Sequence, residues 1–234
     1  MLRRRFEVSR FVKLSQYPML LAALFMVTEA TAQSLSVWEA SSGLFPEEAG
    51  LDYEVFTSGN VPPPTLESDV LTISTSQNAD NYFYLQIEPD VQPARAFRAE
   101  WEMRLLSGSS SSTGRAPFMV FITMSENIGM LLGIDLDRIF FLVDGANPGS
   151  PALVDTDDAF HTYRLEHDGS GGLVLYQDNV QLLAGNAYES ASSHGPNKRF
   201  GWGEGSTLAN GSFEIKSMKH DFPSGLFKDA FEIP

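Results

Sequence analysis

The sequence contains no cysteine. That excludes disulfide cross-links, thiol catalysis and any metal site built on thiolates. Histidine is scarce. His161, His167, His194 and His220 are the only four, and no two of them stand in an H-x-H or H-E-x-x-H spacing, so the imidazole pattern of a zinc enzyme is missing. Basic side chains number 16 against 30 acidic ones, for a net charge of −14. So acidic a chain repels phosphate backbones and anionic headgroups, which argues against nucleic acid as a partner. Helical periodicity is absent too: no 3.6-residue repeat longer than about ten residues occurs beyond residue 32. The apolar stretch "MLLAALFMV", Met19 to Val27, falls well short of the ~20 residues needed to span a bilayer as a helix.

That short stretch has the flanks of an export signal. Arg3, Arg4, Arg5, Arg10 and Lys13 precede it, and Ala30-Thr31-Ala32 follows with small residues where signal peptidase reads. Cleavage before Gln33 is expected, making residues 1–32 a signal peptide and the mature protein secreted, periplasmic or displayed at the cell surface. Five basic and two acidic side chains leave with the leader, so the mature chain keeps 11 basic and 28 acidic ones, net −17, and no membrane span. Without disulfides, an exported domain of ~200 residues must hold together through its core. An apolar content of 43% with 17 Phe can supply one.

From Trp38 onward the chain reads as strand, turn, strand. "FRAEWEMRLL" is the clearest case: Phe97, Ala99, Trp101, Met103 and Leu105 alternate with Arg98, Glu100, Glu102 and Arg104. A period of two with one apolar side marks a half-buried strand, and the alternating signs predict a charge ladder on the wet side. "APFMVFITM", "IGMLLGID" and "RIFFLV" are more continuously apolar and read as more deeply buried strands. "FHTYRLEHDGSGGLVLYQDN", residues 160–179, reads as a hairpin, and Asn210-Gly211 is a further hairpin-turn signal. The Pro-rich "GNVPPPTLESD" reads as a loop. Roughly a dozen short strands predict an all-β fold, a jelly-roll sandwich of two curved antiparallel sheets over residues 33–222, with 223–234 as a tail.

The hairpin also carries a family pattern. Phe160, His161, Tyr163 and Glu166, then Tyr176, Asp178 and Asn179 in place of a usual glycine, resemble a strand pair of the concanavalin A-like lectin/glucanase superfamily. "WEASSGLFPEEAG" and "FGWGEGSTLANGSFEI" are similar to the opening and closing segments of laminin G-like domains in exported bacterial proteins. The resemblance implies two stacked sheets, the inner one concave. Its glucanases carry E-x-D-x-E or E-x-D-x-x-E on a concave strand, two carboxylates ~5–5.5 Å apart. Here the corresponding stretch is Gly133-Ile134-Asp135-Leu136-Asp137-Arg138. Glycine stands where the nucleophile would be, so glucanase chemistry of that kind is not expected.

Three functions compete on this evidence. A non-catalytic carbohydrate-binding domain needs an aromatic platform and planar polar groups, and Trp202, Asp135, Asp137 and Arg164 are the candidates, with Tyr176 and Tyr188 as further aromatics. Its partners would be glycans or a cell-surface or matrix polysaccharide. A structural or adhesive domain without a small ligand is the second reading, and a charge-laddered face would suit it. An atypical glycoside hydrolase or lyase is the third, and would use Asp135 with Asp137, which two-residue spacing puts on one strand face, or Glu100 with Glu102. Trp202 and Tyr176 also have core readings. No cofactor is implied except calcium, which laminin G-like domains often hold at the rim. Asp155 and Asp157, with Asp158, could supply two or three of the 6–8 oxygens calcium takes.

Overall fold

A computed structural model describes residues 35–76, 80–87, 89, 91–125, 128–189, 198–206 and 208–222. The expected leader, the expected tail and His194 lie outside them. The described strands are β1 (Ser36–Glu39), β2 (Tyr53–Ser58), β3 (Thr65–Glu67), β4 (Val70–Ser74), β5 (Asn81–Ile87), β6 (Ala96–Ser110), β7 (Phe118–Thr123) and β8 (Ile128–Ile134). Then come β9 (Arg138–Phe141), β10 (Ala152–Leu153), β11 (His161–Asp168), β12 (Gly172–Gln177), β13 (Val180–Asn186), β14 (Tyr188–Glu189), β15 (Arg199–Glu204) and β16 (Ala209–His220). Among the described residues, helix is confined to single 3-10 turns at Ala40–Ser42 and Pro46–Glu48. No helix among the described residues is long and apolar enough to cross a membrane.

The strands form two eight-stranded antiparallel sheets. The first runs β13-β12-β11-β6-β16-β4-β3, with β1 also on β16; the second runs β10-β9-β8-β7-β15-β5-β2, with β14 on β8. Neighbours such as β6 and β16, or β5 and β15, come from distant parts of the chain, as in a jelly roll. The fold is therefore the all-β jelly-roll sandwich expected. Strand β6 behaves as its alternation requires: Phe97, Ala99, Trp101, Met103 and Leu105 are buried. They meet Phe118, Val120, Ile122, Phe200 and Trp202 of the second sheet in one core.

The β11–β12 hairpin also forms as read. The Asp168 carboxylate accepts the Ser170 and Gly172 N–H groups at 2.6 and 3.0 Å, closing a turn in which Gly169 and Gly171 hold φ of +79° and +104°. The next turn, Asp178-Asn179, has φ of +51° and +68°. That is the left-handed pair a two-residue hairpin demands, and Asn and Asp tolerate it where most residues do not.

Three local expectations are corrected. Asn210-Gly211 is not a turn: both residues lie inside β16, opposite Ser109 and Gly108 of β6. A Cβ at Gly211 would sit 2.5 Å from the Ser107 carbonyl oxygen and 2.7 Å from Pro117 Cβ, so glycine is there for close approach rather than for bending. The Pro-rich loop contains strand β3, joined to β4 by Ser68 and Asp69 at φ of +52° and +64°. Asp135 and Asp137 do not share a strand face; they sit in the turn between β8 and β9, which the Asp135 N–H closes onto the Arg138 carbonyl at 2.9 Å.

Candidate functional site

The two sheets differ on the faces they turn away from the core. On the first, the charge ladder is paired within itself. Arg104 donates to Glu214 at 2.7 Å, Lys216 to Glu102 at 2.7 Å, Arg164 stands 2.9 Å from Glu166, and Arg98 pairs with Glu100. Arg164 also covers the Tyr176 ring at 4.2 Å and donates to Asn179 Oδ1 at 2.8 Å. This face has no free aromatic platform at Tyr176, because the guanidinium already occupies it.

The second sheet turns outward an apolar surface, and strand register explains it. One cross-strand row runs Phe56, Phe83, Gly203, Met119, Gly133, Phe140. The next runs Glu54, Leu85, Gly201, Phe121, Leu131. Glycines at the middle of each row let rings lie down on the sheet. A Cβ at Gly201 would fall 2.2 Å from the Phe121 ring, and one at Gly133 would fall 2.5 Å from the Phe140 ring. Gly203 is more constrained still, at φ +131° with the Tyr82 carbonyl oxygen 2.6 Å from its would-be Cβ. These rows account for the continuously apolar strands: their inner residues enter the core and their outer ones this surface.

The surface forms a groove of about 330 Å³. Three phenyl rings run along it: Phe56 and Phe83 have centroids 4.8 Å apart, and Phe83 and Phe121 meet edge-to-face at 5.6 Å. Phe56 is 49% exposed. Two arginines and Tyr188 complete the lining with Leu85, Met119, Leu131, Gly145 and Gly205; among the described residues no carboxylate lines it. Arg115 donates only to backbone carbonyls, to Gly114 at 2.8 Å and to Gly145 at 3.4 Å. Arg199 Nε is buried without a hydrogen-bond partner. Burial pushes the Tyr188 phenol up to about 12, while the nearby Arg115 charge works in the opposite sense. Asp144, which precedes Gly145 in the chain and whose charge acts on Tyr188, is turned into its own loop, where it accepts the Ala146 and Asn147 N–H groups at 3.0 and 2.7 Å.

The residues proposed from sequence do not assemble into one site. Trp202 is fully buried, 4.6 Å from Tyr84 and 5.9 Å from Trp38. It has no face open to a sugar and belongs to the core. Arg164 lies on the outer face of the first sheet. Asp135 is held in its turn by the Leu136 N–H at 3.0 Å and by Arg138 at 3.3 Å, and Asp137 is exposed beside it. Of the further aromatics, Tyr188 alone reaches the groove. The rings that line it, Phe56, Phe83 and Phe121, went unrecognised because a phenyl in an apolar strand reads as core.

Asp155 and Asp157 are exposed and adjacent, with the Asp157 N–H donating to Asp155 Oδ1 at 3.2 Å. Asp158 is drawn away from them to His161 Nε2 at 2.9 Å, and Asp178 holds Nδ1 of the same ring at 2.7 Å. Partial burial opposes a charge on His161, and these two carboxylates outweigh it, raising its pKa. Among the described residues no group of three acidic or histidine side chains is gathered as a metal would require.

One buried acid does have a strongly shifted pKa. Glu204 is fully buried, and desolvation, with a smaller push from Asp80, raises it to about 8. Its Oε1 accepts the Ser206 N–H at 2.9 Å and its Oε2 has no partner. Asp80 is 2% exposed. Both are closed to solvent, so no substrate reaches the pair in this conformation.

Fold and groove together define the chain as a jelly-roll sandwich with an aromatic, arginine-edged groove on one outer face. Neither a family model nor a curated protein sequence matches it. Solved structures do. The carbohydrate esterase of the Shiga toxin-encoding bacteriophage phi24B is similar with a TM-score of 0.53 at 9% identity, over 79% of this chain and 98% of that one. A protein of unknown function from Shewanella oneidensis MR-1 is similar with a TM-score of 0.50 at 14% identity, over 90% and 95%. The carbohydrate recognition domain of Emp46p follows at a TM-score of 0.48 and 17% identity, over 76% and 92%. At such identities the likeness is one of fold, and function has to be argued from the site.

Proposed function

We propose that the protein is an exported, non-catalytic carbohydrate-binding domain whose site is the groove on the outer face of the second sheet. The observation that carries this reading is the run of partly exposed rings, Phe56, Phe83 and Phe121, beside planar donors from Arg115 and Arg199. Pyranose rings offer C–H faces to aromatics and hydroxyls to such donors. Among the described residues the lining has no carboxylate, which suits binding rather than paired-carboxylate hydrolysis, which needs an acid and a nucleophile there. Export rests on the leader signature of residues 1–32.

A glycan array on residues 33–234, run with and without Ca²⁺, tests the reading. Binding to a defined sugar class should be lost in Phe83→Ala and Phe121→Ala proteins that remain folded. The second reading, a structural or adhesive domain, is favoured by the self-paired charges of the first sheet. A folded sample silent on the array in both conditions would end the carbohydrate reading in its favour.

A further inference from the structure

We infer that the groove selects anionic sugar chains, with Arg115 and Arg199 receiving a carboxylate or sulfate substituent. The inference rests on the groove being the carbohydrate site. Its ground is charge. The mature chain carries 28 acidic residues against 11 basic ones, yet two of those 11 line this single groove and, among the described residues, no acidic one joins them. Of the five arginines elsewhere in the mature chain, four, Arg98, Arg104, Arg138 and Arg164, each pair with a carboxylate. Arg115 donates to the carbonyl oxygens of Gly114 and Gly145, and among the described residues no carboxylate pairs with either arginine, while Arg199 Nε has no hydrogen-bond partner.

An uncompensated guanidinium presents a rigid fork of donors that matches a carboxylate or sulfate oxygen pair, and such charge-assisted bonds are about twice as strong as neutral ones. A neutral sugar would leave both charges without an opposite partner beside an apolar wall, where unmet charge is costly. The net negative charge of the molecule does not cancel this preference at contact, because exposed charges beyond ~8 Å are largely screened at physiological salt. Of nearby acids, Glu54 stands on the same face at the edge strand β2, opposite Leu85, and is exposed to water.

Titration calorimetry tests this with three oligosaccharides of equal length: an uncharged glucan, a polyuronate, and a sulfated chain free of carboxylates. At least one anionic chain should bind about tenfold or more tightly than the glucan, and the two anionic arms tell carboxylate from sulfate. The ratio of anionic-chain to glucan affinity is the readout: Arg199→Gln should bring that ratio close to one, whatever it does to glucan binding itself, and Arg199→Lys should recover part of the preference. Arg115→Gln, at a residue held only by loop carbonyls, serves as the second variant should the first fail to fold. Equal binding of all three chains, or anionic binding untouched in both variants, would overturn the anionic preference and leave carbohydrate binding standing. No binding of any chain by a folded sample, together with silence on the array, would remove both.

Discussion

Two buried side chains pull the pH dependence of stability in opposite directions. His220 lies within the core beside Phe200 and Phe222, at 5.0 and 4.5 Å, and neither ring nitrogen has a hydrogen-bond partner. Desolvation drives its pKa from 6.5 down to about 3. The unfolded chain therefore takes up a proton that the folded one refuses, and stability should fall as pH drops from 6.5 towards 3, by up to about 1.4 kcal/mol per unit. Glu204 works the other way. Its carboxyl is raised from 4.5 to about 8, so its contribution is fully present below pH 4.5 and is lost as pH rises through 8. Urea unfolding across pH should show this directly. His220→Phe should flatten the acid limb, and Glu204→Gln should gain stability over wild type increasingly from pH 5 to pH 8. A variant curve running parallel to wild type would mean that the group concerned titrates normally in the folded state.

At the scale of strands, the glycines of β15 decide the shape of the groove. In Gly201→Ala the new methyl collides with the Phe121 ring, which is the end of a side chain and can swing aside. The fold should survive at a cost of about 1–3 kcal/mol, and sugar binding should weaken because the middle ring has moved. In Gly203→Ala the obstacles are the Tyr82 carbonyl oxygen and a φ of +131°, neither of which can yield without moving backbone. Its melting temperature should drop further than that of Gly201→Ala. The reverse order would place the strain on the wrong glycine.

For the molecule as a whole, the two outer faces should behave as separate surfaces. Glu102→Gln breaks the Lys216 pair on the first sheet. Partly exposed pairs of this kind contribute about 0–1 kcal/mol, and sugar binding should not change. Phe56→Ala, on the second sheet and half exposed, should leave the melting temperature nearly unchanged while lowering sugar affinity about tenfold, or 1.4 kcal/mol. Equal effects of the two changes on binding would mean that the groove is not the contact surface.

Much of this architecture could be read from local pattern. The alternation of β6, the β11–β12 hairpin and the all-β class depend on period-two spacing and on turn residues, which are properties of short segments. Net charge and the absence of thiols excluded whole classes of chemistry without any structure. The site could not be read that way. In "RFGWGEG", Trp202 stands between two glycines, and glycine has no side chain to show which face of the strand is wet. Only the packing against Tyr84 and Trp38 shows that Trp202 points inward. Phe56, Phe83 and Phe121 lie in separate strands, each looking like ordinary core. They become a binding surface because β2, β5, β15 and β7 are aligned side by side in a register that sets rings next to glycines. Sequence alone determined which segments are strands. Which face of each strand meets water, and which residues meet across it, was decided by long-range pairing, because register is a relation between strands that no single strand contains.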